Sequence, residues 1–203
     1  MANLEIESKL RGLVCGIDEV GRGPLVGPVT AACVYIPENA RTKAFWRVVT
    51  DSKKLTEKRR EELFPLITEY CLYGIGHAEV KEIDEINILQ ASLMAMRRAY
   101  ADMNLPMDHA LIDGNKQAGI PCNEVTVVKG DSKSLSIAAA SIIAKVSRDR
   151  YMRELHDEFP HYAWDSNAGY GTKAHIEAML KHGVTKHHRQ SFKPVSTLRN
   201  GTR

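Results

Sequence analysis

The chain has 203 residues, 43% of them hydrophobic, and a formal net charge of +3 at pH 7. This length and apolar content predict one compact domain, and no apolar run approaches the roughly 20 residues that a membrane-spanning helix needs. The mildly basic balance permits a polyanionic partner without requiring one.

Apolar runs and periodic segments divide the chain into strands and helices. The predicted strands cover residues 13–17, 26–36, 71–80, 108–114 and 124–131. The predicted helices cover residues 56–70, 84–103, 134–158 and 172–182. Residues 38–54 show no regular pattern and are expected to be irregular. Strands that alternate with helices predict an α/β architecture, and the hairpin of the first two strands makes the sheet mixed.

Local signals predict where the helices begin and end. Thr56 and Thr172 have the side chains that cap helix N-termini. Asp84 or Asn87 is expected to cap the second helix. Pro65 is expected to kink the first helix or to end it early, because proline lacks the backbone donor.

Four cysteines occur, and none forms a CxxC pair: Cys15, Cys33, Cys71 and Cys122. Their apolar surroundings predict buried, reduced thiols and no disulfide framework. The polar N-terminal segment does not have the pattern of a signal peptide. Together these features predict a cytoplasmic protein.

Acidic residues follow three of the predicted strands. Asp18 and Glu19 follow the first strand, Asp113 ends the fourth, and Asp131 follows the fifth. Ligand sites in open α/β sheets lie at the carboxyl ends of strands, so neighbouring strands would bring these acids together. Oxygen ligands suit Mg²⁺ or Mn²⁺, and a carboxylate cluster suits two-metal hydrolysis at phosphorus. The competing interpretation is that the acids merely form turns, as acids often do.

Basic residues and glycines supply candidate substrate contacts. The turn Gly21-Arg22-Gly23 lets the backbone approach a ligand, although a plain turn explains it as well. Lys53 is either a phosphate contact or a solvated charge. Residues on one face of the 134–158 helix form either a phosphate track or an ordinary charged surface; they are Ser134, Ala138, Ser141, Lys145 and Arg148.

An aromatic residue stands between glycines just before the last predicted helix. Tyr170 in this Gly-Tyr-Gly-Thr segment either stacks on a sugar or base, or anchors the helix from inside. The nearby histidines are expected at the surface; they are His175, His182, His187 and His188.

In combination, these motifs resemble the bacterial type 2 ribonucleases H, the ribonuclease HII family. The segments that carry the resemblance are GIDEVGRGPLVGPV, DSKKL, LIDGN, KGDSKSLSIAAASIIAKVSRDRYM, GYGT and HRQSFKPV, in that order over about residues 13–195. The resemblance implies a ribonuclease H-like fold, a mixed five-stranded sheet flanked by helices. It also implies one catalytic domain over 1–203, in which about 160–203 form a helical extension that carries Tyr170.

The resemblance implies cleavage of the RNA strand of RNA–DNA hybrids. It further implies incision on the 5′ side of a ribonucleotide embedded in duplex DNA, which leaves a 3′-hydroxyl and a 5′-phosphate. The implied cofactors are Mg²⁺ or Mn²⁺, two ions in the catalytic complex, and part of the carboxylate set is expected to assemble only with substrate. The implied partners are RNA–DNA hybrids and duplex DNA with embedded ribonucleotides, and the implied roles are ribonucleotide removal from DNA and primer or hybrid processing. Nothing in the sequence requires more than a monomer.

The resemblance also assigns residues. By similarity, the metal ligands are Asp18, Glu19, Asp113 and Asp131. The main chain of Gly21, Arg22 and Gly23 reads the 2′-hydroxyl, and Tyr170 stacks on the adjoining deoxynucleotide sugar. The phosphate path is lined by Lys53, Ser141 and Lys145.

One departure from the family pattern is visible. Members often have a lysine before the Gly-Tyr pair, where this chain has Ala168. The departure puts one backbone contact in doubt and leaves the acids and Tyr170 in place.

Three other interpretations are weighed against this one. A Holliday-junction resolvase or integrase also uses acids at strand ends, but lacks the Gly-Arg-Gly turn. A non-catalytic binding module would use the acids only as turn formers. The segment QSFKPV near the C-terminus is a weak candidate for a sliding-clamp peptide, because it lacks the paired aromatics of such peptides.

Overall fold

A mixed sheet forms the centre of the computed structural model, which describes residues 2–200 and the side chains of residues 2–198. Its strands are β1 Val14–Val20, β2 Val29–Tyr35, β3 Leu72–Ala78, β4 His109–Asp113 and β5 Asn123–Val127. Their order across the sheet is β3-β2-β1-β4-β5. β1, β2 and β3 are antiparallel neighbours, whereas β4 and β5 run parallel to β1. The five-stranded mixed sheet predicted from the sequence is thereby confirmed.

Helices cover both faces of this sheet. They are α1 Glu5–Ser8, α2 Glu57–Tyr70, α3 Val80–Met103, α4 Leu135–Glu158, α5 Trp164–Asn167, α6 Lys173–His182 and α7 Val195–Asn200. One apolar cluster joins α3 to Cys15, Ile17 and Cys33 on one face. A second joins α2 and α4 to Ala32 and Val34 on the other. Each strand of the hairpin is therefore buried on both sides, which explains its nearly continuous apolar sequence.

Small residues let α4 lie very close to the sheet. A Cβ atom on Gly16 of β1 would lie only 2.3 Å from the backbone nitrogen of Ile137 in α4. Ala138, Ala139 and Ala140 in the same helix are fully buried. This contact holds α4 over the strand that carries two of the predicted metal ligands.

Helix α3 begins earlier than the sequence predicts. It starts at Val80, where Glu79 and Glu82 form a reciprocal capping box. The chain then bends at Asn87, whose φ of 68° is non-helical, and the Asn87 side chain accepts hydrogen bonds from the backbone of Leu89 and Gln90. Asn87 is thus a cap, as expected, but of the second of two joined segments.

Two further features of the first half of the chain differ from expectation: Pro65 does not end its helix early, and the segment after β2 is not irregular. Helix α2 continues through Pro65 to Tyr70, because burial of Ile67 in the core outweighs the single hydrogen bond that proline removes. Residues 38–54 contain three short 3₁₀ helices, Glu38–Ala40, Ala44–Val48 and Ser52–Lys54, rather than an irregular segment.

The C-terminal part of the chain forms its own apolar cluster against α4 and the segment that precedes β2. Leu25 and Val26 meet Met152, Trp164 and Met179 in it. Within the described residues, no helix combines the length and the hydropathy needed to cross a bilayer.

Candidate active site

The four predicted metal ligands lie at one edge of the sheet. Asp18 and Glu19 are near the end of β1, Asp113 ends β4, and Asp131 lies in the 3₁₀ turn Gly130–Ser132 after β5. Because β1, β4 and β5 are parallel neighbours, their carboxyl ends meet. The backbone N–H of Gly130 donates to Asp113 Oδ1 at 2.6 Å, which ties the end of β4 to the turn that carries Asp131.

These carboxylates are buried and feel one another's charge. Burial raises the pKa of Asp18 well above its usual range, and the charges of Glu19, Asp113 and Asp131 raise it further. Burial also raises the pKa of Glu19, although the Arg22 guanidinium, 3.3 Å from Glu19 Oε1, acts in the opposite direction. Such a cluster of like charges is costly unless protons or cations neutralise it.

One oxygen of this cluster has no partner. Glu19 Oε2 is buried and accepts no hydrogen bond from any described residue. An ionised oxygen in that position favours a cation, and an all-oxygen donor set suits Mg²⁺ or Mn²⁺. The residues present therefore fit the divalent ions that the sequence predicts. Among the described residues, no three acidic, His or Cys side chains already form a closed metal-binding group.

Two cavities flank the acids. One of about 370 Å³ is lined by Asp51, Lys53, Lys54, Asp113, Lys129, Asp131 and Ser132. The other, of about 260 Å³, is lined by Glu19, Arg22, Leu89, Ser92, Leu93, Met96, Asp113, Gly114, Asn115 and Lys116. Asp113 borders both cavities, and each cavity also contains cationic side chains. A polyanion that occupied both cavities would therefore lie across the acids and contact cations on either side of them.

Asp51 is a further acid at this site that the sequence analysis missed. Burial raises the pKa of Asp131, and the neighbouring charge of Asp51 adds a smaller increase in the same direction. Asp51 Oδ1 also accepts a hydrogen bond from the backbone of Lys53 at 2.9 Å. The signal for it in the sequence is an acid placed directly before Ser52 and two lysines.

The Gly-Arg-Gly turn and Tyr170 come together from opposite ends of the chain. Gly21 has a φ of +91°, and a Cβ there would lie 2.2 Å from Arg148 Nε, so only glycine fits. Arg22 and Gly23 are exposed. Tyr170 is 51% exposed and lies against Gly23, which answers the question left by the sequence: this tyrosine is not an internal anchor.

The three predicted phosphate contacts occupy different environments. Lys53 is exposed and lines the same cavity as Asp131. Ser141 is buried, and its Oγ accepts a hydrogen bond from the backbone of Ser52 at 3.1 Å. Lys145 Nζ lies 2.6 Å from Asp149 Oδ1 and lines a separate cavity of about 150 Å³. The structure thus groups only Lys53 directly with the acids, while Ser141 supports the turn that presents it.

Arg148 is neither a surface charge nor part of an exposed phosphate track. It is buried and donates hydrogen bonds to the backbone oxygens of Val26, Pro28 and Ala168. Burial lowers its pKa to about 10. Arg148 thus ties the loop before β2 to the segment that carries Tyr170.

The expectation that the histidines lie at the surface is wrong for His175 and His188, which are both fully buried. Trp164 Nε1–H donates to His175 Nε2 at 3.0 Å, so the proton of this neutral ring is on Nδ1, 2.8 Å from the Tyr170 carbonyl oxygen. Burial lowers the pKa of His175 and lowers that of His188 to about 3. The pair therefore fixes the backbone of Tyr170 from beneath, and no sequence pattern indicated it.

Known proteins share the sequence and the fold of this chain. A family model described as Ribonuclease HII matches residues 15–195. Ribonuclease HII of Paramagnetospirillum magneticum is 50% identical over 196 residues, which cover 97% of this chain and 98% of the relative. The ribonuclease H2 structure from Pyrococcus horikoshii has a TM-score of 0.75 at 26% identity and covers 93% of this chain and 98% of its own. A Bst-RNase HIII structure in complex with Mn²⁺ has a TM-score of 0.76 at 18% identity, over 94% of this chain and 70% of its own, and shares the fold.

Proposed function

The chain belongs to the ribonuclease HII family of RNA–DNA hybrid endoribonucleases, and we propose that it also incises duplex DNA on the 5′ side of an embedded ribonucleotide. The products are a 3′-hydroxyl and a 5′-phosphate. The observation that carries the proposal is the meeting of four carboxylates with the Gly-Arg-Gly turn and Tyr170 at one edge of the sheet. The activity serves ribonucleotide removal from DNA and the processing of primers or hybrids in the cytoplasm.

The carboxylates Asp18, Glu19, Asp113 and Asp131 hold the catalytic metal. Two Mg²⁺ or Mn²⁺ ions, when bound there, supply an activated water and stabilise the departing 3′-oxygen at phosphorus. The unpartnered buried Oε2 of Glu19 and the raised pKa of Asp18 support this assignment, since both favour a cation in the cluster. Arg22 is paired with Glu19 and so joins the metal ligands to the turn Gly21-Arg22-Gly23, which we call the recognition turn.

The turn and Tyr170 select the sugar. Arg22 and Gly23 are exposed beside the acids, where main-chain groups of the turn can contact a 2′-hydroxyl, the group that distinguishes RNA from DNA. The exposed ring of Tyr170 stacks on the next deoxynucleotide sugar. The turn and Tyr170 are in contact with each other through Gly23. A ribonucleotide followed by a deoxynucleotide is therefore the substrate that can contact the turn with its 2′-hydroxyl and the Tyr170 ring with the next sugar.

Cations next to the acids position the phosphates. Lys53, Lys54 and Lys129 line the larger flanking cavity, and Lys116 lines the other. Lys145 continues the path beyond them, with Ser141 holding the Ser52 backbone in place. Binding by such contacts releases counterions, so affinity falls as the salt concentration rises. The protein acts as a monomer of one catalytic domain.

The decisive experiment uses a labelled DNA duplex that contains one ribonucleotide, incubated with and without Mg²⁺, with the cut mapped at nucleotide resolution. We expect a single metal-dependent cut 5′ of the ribonucleotide and none in the same duplex made entirely of DNA. Cleavage of a ribose-free branched DNA would instead support a junction resolvase. Binding without any metal-dependent cleavage would support a non-catalytic module.

A further inference from the structure

A short segment near the C-terminus runs directly beneath the recognition turn. The backbone N–H of Arg189 donates to Leu25 O at 2.8 Å, and the N–H of Gly27 donates to His187 O at 3.0 Å. These bonds flank an antiparallel bridge between Val26 and His188. The bridge positions the Arg189 side chain against the inner side of the loop that follows β1.

Arg189 binds the turn through its carbonyl oxygens. Its side chain is fully buried, with Nη2–H donating to Gly21 O at 2.5 Å and Nη1–H to Arg22 O at 2.9 Å. Nε–H and Nη2–H both donate to Gly27 O, at 3.0 and 2.8 Å. Among the described residues no carboxylate is paired with this guanidinium, and burial lowers its pKa to about 9. A buried cation is costly without acceptors, so these three carbonyl oxygens are what hold it in place.

The contact with Arg189 also determines the direction of the N–H groups on the opposite side of the turn. In a planar trans peptide, the C=O of one residue and the N–H of the next point in opposite directions. The only cis peptide in the described chain precedes Pro194, so the peptides of residues 21–23 are trans. With Gly21 O and Arg22 O directed inward at Arg189, the N–H groups of Arg22 and Gly23 must point outward.

Those two N–H groups are available to a ligand. Arg22 and Gly23 are exposed, and neither backbone N–H donates to any described residue. Pro24, which follows, has no N–H at all. Two adjacent free donors beside a carboxylate cluster are suited to an anionic or hydroxyl oxygen of the substrate.

We infer that Arg189 is a positioning residue for sugar discrimination: by binding the Gly21 and Arg22 carbonyls, it aims the Arg22 and Gly23 N–H groups at the ribonucleotide. The inference rests on the proposed function, since it concerns the same turn. It assigns to the C-terminal segment a role in telling RNA from DNA that is separate from metal binding and from the stacking of Tyr170.

The test compares Arg189→Met and Arg189→Lys with a matched control, Arg97→Met. Arg97 also donates to a backbone oxygen, that of Ala118, but away from the turn. Affinity is measured by fluorescence anisotropy without divalent metal, for a duplex with one ribonucleotide and for the all-DNA duplex of the same sequence. The readout is the ratio of the two affinities, which a loss of stability alone does not move.

We expect Arg189→Met to reduce this ratio about tenfold, Arg189→Lys to reduce it in part, and Arg97→Met to leave it unchanged. Lysine keeps the charge but lacks the fork that binds several carbonyl oxygens at once. A folded Arg189→Met protein with the wild-type ratio would overturn the inference. If Arg189→Met does not fold, as judged by circular dichroism, a wild-type ratio in Arg189→Lys overturns it instead. A wild-type protein without any preference contradicts the proposed recognition by the turn, which is a different failure.

Discussion

Tyr170 lies so close to Gly23 that a Cβ atom on residue 23 would be 3.3 Å from Tyr170 Cε1. The ring is half exposed while its backbone oxygen is held from beneath by His175. A mobile loop residue would lose much of its stacking energy to ordering, whereas this ring is already oriented. The contact therefore places a prepared stacking surface at the end of the recognition turn.

Removal of the Tyr170 ring should impair cleavage at single ribonucleotides. We expect Tyr170→Ala to lower kcat/KM on a duplex with one ribonucleotide roughly 10–100-fold, since stacking on an aromatic ring contributes about 1–3 kcal/mol. Tyr170→Phe keeps the ring and should retain most of the activity. The measurement compares kcat/KM and binding affinity on a single-ribonucleotide duplex and on a long hybrid. An equal loss on every substrate would rule out the junction role.

The Asp113 carboxylate should be essential for chemistry but not for folding. Asparagine in its place keeps an oxygen that can accept the Gly130 N–H bond while it removes the charge. We expect Asp113→Asn to lower the cleavage rate by about 10²–10³-fold with Mg²⁺ and to leave the melting temperature at or above that of the wild type. Asp157→Asn, at an exposed position of α4, is the matched control. Wild-type cleavage by Asp113→Asn would refute the assignment of the metal ligands.

Glu19 should destabilise the metal-free protein. Its folded-state pKa is raised, so the ionised form at neutral pH opposes folding, and Glu19→Gln removes that cost. We expect the variant to melt roughly 2–4 °C higher than the wild type in EDTA. Added Mg²⁺ or Mn²⁺ should raise the wild-type melting temperature by mass action and the variant's much less.

The control for this experiment is Glu69→Gln, which neutralises an exposed acid of α2. It should respond to metal as the wild type does. An equal metal-dependent rise in Glu19→Gln would show that the ion binds without this carboxylate.

The features that the sequence predicted correctly are local ones. A buried strand is recognised by its run of apolar residues, and an acid at its end follows that run directly in the sequence. Asp18, Asp113 and Asp131 could therefore be assigned to strand ends from the sequence alone. The sequence left open whether β1, β4 and β5 are neighbours, which is the condition for the acids to meet, and the observed strand order shows that they are.

The features that the sequence did not predict depend on contacts between distant segments. Arg148 and Arg189 look like surface charges in sequence, because nothing near them reveals that backbone oxygens of residues 21–28 will surround them. His175 and His188 are similar, since their burial depends on Trp164 and on the Tyr170 loop. Charged and polar side chains are exposed on average, and whether one of them is buried depends on partners that are distant in the sequence.

Lys53 should contribute to affinity through phosphate contact rather than through the chemistry. We expect Lys53→Met to weaken duplex binding similarly for RNA-containing and all-DNA substrates and to reduce the slope of log K against log salt by about 0.9. Lys81→Met is the control, because Lys81 is exposed near Glu85 and lines neither cavity beside the acids. An unchanged slope in Lys53→Met would show that this lysine is simply solvated.

Mild acid should remove stability that depends on the neutral, buried His188 ring of the folded protein. Folded His188 stays neutral because burial lowers its pKa to about 3, whereas the unfolded side chain gains a proton below about pH 6.5. The unfolded state thus binds more protons, and the free energy of unfolding falls by about 1.4 kcal/mol between pH 7.5 and 5.5 from this residue. We expect this residue to contribute a fall of roughly 3–5 °C in the melting temperature over that range. The buried acids Asp18 and Glu19 act in the opposite direction, because their raised pKa values favour the folded state as the pH falls.

His188→Asn tests the source of this pH dependence. Asparagine can still accept the hydrogen bond from the Thr185 backbone, now made to His188 Nδ1 at 2.9 Å, but it does not titrate. The variant should be less stable at pH 7.5 and lose less stability on acidification than the wild type. His161→Asn is the control, because His161 is an exposed histidine outside the chain of hydrogen bonds that joins Thr185, His188, His175 and Tyr170. A pH slope that is identical in His188→Asn and in the wild type would mean that His188 is not kept neutral in the folded protein. Its Nδ1 could then not accept the hydrogen bond from the Thr185 backbone, because both nitrogens of a charged imidazole are donors.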